Sequence, residues 1–379
     1  MSVRKRKWTT RNGEQKESWV IDYVDQQGDR HIETFAKKKD AEKRHASVAV
    51  DVDRGTHTAA SKSITVAQAA QDWLKFIELE GRERATILSY RINIDRHIVP
   101  RIGREKIATL TTPHINRFRD DLLASVASRG LAKAVLKSLK AILKDAHRRG
   151  NVAQNVARDV IIGTTERSKR KLKAGVDIPT PDEIRKIIHA ATGKRRPLLL
   201  TAVFTGLRGS ELRGLRWQDV DLNKGELHVR QRADRYNVMG KPKSQSGDRT
   251  IPLGPLVLNA LKEWRLACPK GRHDLVFPNG AGNTESHANI VTRIWKPVQI
   301  RAGVVNDRGK AKYTRLHATR HFYASWCINR KQDGGLELPM KTVQSRPGHA
   351  SIMLTSDVYG HLFPSTDAGN ELAEAENSR

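Results

Sequence analysis

The strongest constraint on this chain's fold is a break in periodicity at residues 163–175, GTTERSKRKLKAG, where five basic residues and one acid occur without an apolar pattern. Such a stretch has no face to bury. It predicts a linker, and its charge suits a path along a phosphate backbone. A capping box stands on each side of it. Thr65 with Gln68 precedes an apolar stripe at Val66, Ala70, Trp73 and Ile77. Thr180 with Glu183 opens another helix, with Pro181 at its first position.

Upstream of the break the helical period repeats. Ile87, Tyr90, Ile94 and Ile98 mark a second helix that ends at Pro100, and Thr112 with Pro113 reads as the N-cap and first residue of a third. Leu136, Leu139, Leu143 and Ala146 mark a fourth, stopped by Gly150. Four helices over about 100 residues make an independent bundle. Before residue 60 the pattern is different. Residues 18–24 and 30–35 read as strands around a QQGD turn, and 37–54 as a helix with Ala41, His45, Val48 and Val52 at helical spacing, ended by Gly55. Downstream of the break helices dominate, with one β-excursion at 226–232 and 249–253. The expectation is a mainly α, multidomain chain with small β elements. It has a sheet plus helix at 1–60, a helical bundle at 61–162, a linker at 163–178 and a mostly α domain at 179–379. The acidic tail after Pro364, with Glu371, Glu374 and Glu376, reads as a helix that docks elsewhere.

Charge narrows the function. The 379 residues carry a net charge of +28. Without a polyanionic partner that charge would only add self-repulsion, so nucleic acid is expected. The small N-terminal sheet has a spare face rich in Arg and Lys, suited to a DNA groove. Cys268 and Cys327 are far apart and no CxxC occurs, so both read as packing residues rather than a disulfide framework or a zinc site. No run of about 18 apolar residues exists, and no apolar segment follows MSVRKRKW. The expected location is the reducing cytoplasm.

The chemistry-bearing residues lie in the last unit. Arg208, in TGLRGSEL, falls between an apolar helix and a second that begins near Gly209. Glu211, three residues on, is spaced to orient its guanidinium. Lys243 lies on a polar excursion before RTIPL, with Lys241 as its competitor. His317 and Arg320, in LHATRH, share a helix face. The same HxxR spacing at His114 and Arg117 lies on a bundle helix and takes no role. His349 follows a glycine, and Tyr359 ends a short helix at 352–357. Each residue alone reads as an ordinary surface or packing group. Together, two arginines, a lysine, two histidines and a phenol can hold a phosphodiester, attack it and protonate the leaving oxygen.

In that order and those contexts, TGLRGSEL, PK…RTIPL, LHATRH, GHAS and VYGHL resemble the tyrosine recombinase family, in particular the phage-type integrases, over about 150 residues. The resemblance implies that Tyr359 forms a 3′-phosphotyrosyl link and frees a 5′-hydroxyl. It makes Arg208 and Arg320 the clamp on the non-bridging oxygens, with Glu211 supporting the first. Lys243 becomes the general acid, His317 the proton acceptor near the tyrosine, and His349 a hydrogen-bond donor to the phosphate. It also implies a helical core-site DNA-binding domain, an N-terminal arm-site domain and a tetramer on two duplexes. A host DNA-bending protein and an excision factor become candidate partners, and a prophage or genomic island the mobile element. A type IB topoisomerase shares the chemistry, but two separate N-terminal DNA-binding units favour the recombinase. A non-catalytic regulator derived from an integrase is the other alternative, which the complete residue set opposes. No Walker A loop and no acidic cluster with metal-ligand spacing accompany these residues, so no cofactor is expected. Two features depart from the family. Pro347 stands where Leu is more usual, and residues 331–339 form a longer segment than many members have.

Overall fold

The structure, a computed structural model, describes residues 2–10, 12–25, 28–53, 63–163, 172–242 and 244–362. Lys243, Gly55, the acidic tail and most of the basic segment fall outside them. The chain divides into two compact units, Met1–Thr165 and Glu166–Arg379.

The first unit opens with an antiparallel sheet of three strands, β1 (Ser2–Thr9), β2 (Gln15–Val24) and β3 (Arg30–Phe35), followed by α1 (Lys38–Asp53). Sequence reasoning found β2, β3 and α1 but not β1, whose Arg and Lys residues carry little β-propensity. Pairing supplies what propensity lacks, in a register that sets Val3 opposite Ile21. Ile21, Tyr23, Ala41 and Val48 form the small core, with Val3, Trp19 and Phe35 against it. Strand alternation puts Arg4, Arg6, Trp8, Lys16 and Arg30 on the other face. There Asp22 accepts hydrogen bonds from Arg4 at 3.2 Å and from the Nε of Arg30 at 2.8 Å.

The bundle has a separate core. Its helices are α2 (Val66–Leu79), α3 (Arg84–Asn93), the short α4 (Val99–Ile102), α5 (Thr112–Ser125) and α6 (Arg129–Arg148). The Thr65–Gln68 capping box forms as expected. Val66, Ala70, Trp73 and Ile77 are buried, as are Leu136, Leu139, Leu143 and Ala146. The N-cap of α5 is Thr111, one residue before the expected Thr112. The expected helix end at Pro100 is also corrected. Between α3 and α4 the backbone widens into a π-turn at Ile94–Ile98, and Pro100 lies inside the continued helix. Proline has no N–H and its ring crowds the preceding turn; a wider turn just ahead of it accommodates both.

The second unit contains α7 (Pro181–Ala190), α8 (Arg195–Thr205), α9 (Gly209–Gly214), β4 (Val220–Asp221), β5 (Glu226–Val229), β6 (Arg232–Ala233), β7 (Met239–Gly240) and β8 (Arg249–Pro252). Then follow α10 (Pro255–Ala267), α11 (His287–Asn289), α12 (Lys296–Arg301), α13 (His317–Ile328), α14 (Met340–Ser345) and α15 (Ile352–Tyr359). α8 is apolar nearly all round and contacts α7, α10 and α13, which makes it the central post. β5 pairs antiparallel with β8, as the β-excursion predicted, and β4 adds a third strand. A second π-turn, Ile290–Trp295, precedes Pro297 as the first precedes Pro100. The longer segment at 331–339 folds back on the end of α13. Leu336 N–H donates to Trp326 C=O and Leu338 N–H to Cys327 C=O. Its leucines wall a small core of Tyr323, Cys327, Val343 and Tyr359. No helix among the described residues is long and apolar enough to cross a membrane.

Candidate active site

Arg208 is the residue between α8 and α9, and its placement begins with Gly206. That glycine ends α8 in the left-handed region, at φ 61°. A Cβ there would also drive into the Tyr323 ring. Only glycine meets both demands. The chain then turns, and Arg208 caps α9. Its backbone N–H donates to Glu211 Oε2 at 2.9 Å and its Nη1 to Glu211 Oε1 at 2.7 Å. Glu211 is buried, at 3% exposure, with both carboxylate oxygens engaged by Arg208.

A single turn, residues 346–348, gathers three arginines. Arg249 Nε donates to the Arg346 carbonyl at 2.7 Å, Arg320 Nη1 to the Pro347 carbonyl at 2.6 Å, and Arg208 Nη2 to the Gly348 carbonyl at 2.8 Å. Arg320 also donates to the Gly206 carbonyl at 2.8 Å, which ties α13 to the α8–α9 junction. The turn closes α14 by two paired bonds. His349 N–H reaches Gln344 C=O and Gly348 N–H reaches Ser345 C=O, with Gly348 left-handed at φ 75°. Pro347 sits where the helix stops: the last helical bond runs from Arg346 N–H to Thr342 C=O, and Pro347 has no N–H to continue the ladder to Val343.

His349 follows directly. Its Nδ1 lies 2.9 Å from Thr355 Oγ1, and its ring stacks on Tyr359, 5.9 Å between centroids and 8° between planes. Tyr359 is buried at 2% exposure. Its hydroxyl is hydrogen-bonded to His321 Nδ1 at 2.7 Å. The expectation had been that His317 attends the phenol. His317 lies one turn back on the same face of α13, its ring edge-on to His321 at 4.8 Å, and α15 ends over the second turn instead of the first. His321 stands in LHATRH next to Arg320, and nothing in the sequence pairs it with a residue 38 positions away. A cleft of about 310 Å³ opens beside the pair, lined by Asp177, Lys312, Arg315, His317 and His321 among others.

The arrangement brings Arg208, Glu211, Arg320, His349 and Tyr359 together, with His317 beside them. Lys243 lies outside the described residues; Lys241, two before it, is exposed. Electrostatics follow from burial among arginines. Burial, with Arg320 and Arg208 nearby, brings His349 down to about 3, and burial with His321 and Arg320 brings His317 to about 4. His321 is lowered by burial and Arg320. All three imidazoles are neutral at pH 7. Burial pushes the Tyr359 phenol up to about 12, against a smaller pull from Arg320. Burial works to raise Glu211, but Arg249 and Arg208 hold it below the usual carboxylate range. Burial also lowers Arg320, to about 9, still charged at neutral pH. Among the described residues, no three His, Cys, Asp or Glu side chains form a metal-binding group.

Residues 179–365 match the phage integrase family, and residues 65–123 match the phage integrase N-terminal SAM-like domain; together they span well over half of the chain. A tyrosine recombinase XerC-like protein of Caldanaerobacter subterraneus is 28% identical over 80% of this chain and 81% of its own. The ICEBs1 integrase of Bacillus subtilis is 26% identical over 72% of each chain. Among solved structures, the Tn1549 transposon integrase in complex with a circular intermediate DNA superposes with a TM-score of 0.64 at 21% identity, over 84% of this chain and all of that one. A lambda integrase tetramer bound to a Holliday junction gives 0.57 at 17%, over 91% and 95%. These last two likenesses concern the fold. The family matches over the bundle and the second unit place the chain: it belongs to the phage integrase family of tyrosine recombinases.

Proposed function

We propose that this chain is a site-specific DNA recombinase that cleaves and rejoins DNA through Tyr359, integrating or excising a mobile element such as a prophage or genomic island. One observation carries the reading. The phenol stacks on His349, and the turn before His349 accepts hydrogen bonds from both Arg208 and Arg320. Nucleophile and phosphate-binding groups thus share one assembly. The similar curated proteins are recombinases and integrases, so the type IB topoisomerase and the non-catalytic regulator are not favoured.

In the reaction the Tyr359 oxygen bonds to phosphorus while the bond to the 5′-oxygen breaks, leaving a 3′-phosphotyrosyl link. The departing oxygen takes a proton from Lys243, by its place in the motif. A guanidinium has five donors. Those of Arg208 and Arg320 that carbonyls and Glu211 do not use can bind the non-bridging oxygens, whose charge rises in the transition state. His349 is neutral, and in the tautomer in which its Nδ1 accepts from the Thr355 hydroxyl its other ring nitrogen is a donor. A phenol this resistant to ionisation needs an acceptor in contact with it. His321 takes that role, with His317 behind it. Cleavage stores the bond energy in the phosphotyrosine, and rejoining runs the same steps backward as a new 5′-hydroxyl displaces the tyrosine.

The finer organisation belongs to the same reading. The division at 1–60, 61–162, 163–178 and 179–379 assigns the bundle to core sites. The basic face around Arg6 and Lys16 is assigned to arm sites. The working assembly is a tetramer on two duplexes, assisted by a host DNA-bending protein and an excision factor. The test is covalent capture. Purified protein is incubated with a pool of nicked duplexes of randomised sequence and denatured, and linked DNA is sequenced. The wild type is expected to yield adducts enriched in one core sequence, and Tyr359→Phe none. Adducts from the phenylalanine variant would sink the assignment.

A further inference from the structure

Arg249 has no role assigned so far, yet its guanidinium makes three hydrogen bonds within the site. Its side chain is 7% exposed. Nη2 donates to Glu211 Oε2 at 2.9 Å, Nε to the Arg346 carbonyl at 2.7 Å and Nη1 to the Gly247 carbonyl at 3.0 Å. One fork thus joins three segments: the helix that carries Glu211, the turn that leads to His349, and the end of the polar excursion that carries Lys243. A second contact reinforces the joint. A Cβ on Gly348 would lie 2.7 Å from the Ser246 carbonyl and 2.9 Å from Arg249 Nη1. The excursion and the turn therefore touch backbone to backbone, and Arg249 is wedged beside that contact.

We infer that Arg249 is a positioning residue for the phosphate clamp: it fixes the Glu211 carboxylate and the 346–348 turn in one frame, and thereby sets Arg208 and His349 against the same phosphate. The geometry requires a fork. Glu211 Oε2 is shared between the Arg208 backbone N–H and Arg249, so the carboxylate is held from both sides. A lysine supplies charge but not three donors in a plane. The charged groups that face Glu211 are Arg208 beside its own helix, Arg249 from β8 and Arg320 from α13. Removing Arg249 leaves Arg208 to oppose burial without it, so the carboxyl rises, and where Glu211 is protonated it gives up the charge-assisted bond that orients Arg208.

The inference rests on the recombinase reading. Its test uses the full-length protein and the core duplex recovered by covalent capture, with Arg249→Met, Arg249→Lys, Glu211→Gln and the Met/Gln double variant. Single-turnover adduct formation is followed against pH, beside equilibrium binding to the same duplex. Arg249→Met is expected to slow adduct formation roughly 10- to 100-fold, the scale of one charge-assisted hydrogen bond, while DNA binding stays within about threefold. Arg249→Lys recovers part of the rate. The acid limb of the Arg249→Met profile moves to higher pH than that of the wild type, and adding Glu211→Gln removes the shift. Where Arg249→Met fails to fold, Arg249→Lys carries the same comparison. A wild-type rate, or a loss equal at every pH, overturns the inference and leaves Arg249 as packing. Absence of adducts from the wild type sinks the recombinase reading itself, and is a different result.

Discussion

On the proposed reading Tyr359 is the nucleophile, and burial makes it a poor one until its proton is taken. His321 is in contact with the phenol and neutral at pH 7. His321→Gln is therefore expected to slow single-turnover adduct formation about 100-fold, the scale of a lost proton acceptor, with core-duplex binding retained and a smaller loss for His317→Gln. Because burial lowers His321, the wild-type rate should hold through neutral pH and fall only below the ordinary histidine value of about 6.5. The buried imidazoles also couple stability to pH. An unfolded histidine takes up a proton near 6.5, whereas folded His317 waits until about 4 and His349 until about 3. The folded state binds fewer protons across that window. Stability present above about 6.5 is therefore lost as pH falls through it. Thermal denaturation of the wild type should show a falling melting temperature from pH 7 to 4; a flat profile would contradict the neutral imidazoles. At this scale the sequence was legible where a role belongs to a local motif, as with Arg208 and Glu211 three residues apart. His321 and Arg249 were hidden because their partners, Tyr359 and the 346–348 turn, arrive from distant segments.

The elements that aim these side chains are short and depend on backbone shape. Gly206 lets the apolar post α8 stop and turn within hydrogen-bond reach of Arg320. Gly206→Ala imposes a left-handed residue with a Cβ and a clash with Tyr323, and is expected to cost about 2 kcal/mol or more in chemical denaturation. A variant as stable as the wild type would show that the junction is not constrained as described. Helices were legible from capping boxes and apolar stripes, and the four marker residues of α2 all reached the core. Two features were not. The strand β1 reads as a charged run, since only pairing with β2 gives Val3 a place. The helix at Pro100 continues because a π-turn absorbs the proline, and a stop signal in sequence cannot be told from a widened turn. The same device precedes Pro297, whereas α10 and α14 end just before Pro269 and Pro347.

For the molecule as a whole, charge decides the partner and family membership the reaction class. With +28 on 379 residues, DNA affinity should be dominated by phosphate neutralisation and counterion release. Binding to the core duplex is expected to weaken at least roughly 1,000-fold between about 50 and 200 mM salt, as read by fluorescence anisotropy. A flat salt response would contradict the polyanion reading. The basic break at residues 163–175 is not wholly clear of the cores, since its Leu172 packs against two apolar clusters of the second unit. The central claim is that Tyr359 carries the DNA, and peptide mapping addresses it most directly. Adducts formed on the captured duplex are digested with nuclease and protease, and the nucleotide-bearing peptide is sequenced by mass spectrometry. The expected result is a single peptide spanning SDVYGHL with a 3′-nucleotide on Tyr359; the nucleotide on any other residue would contradict the account.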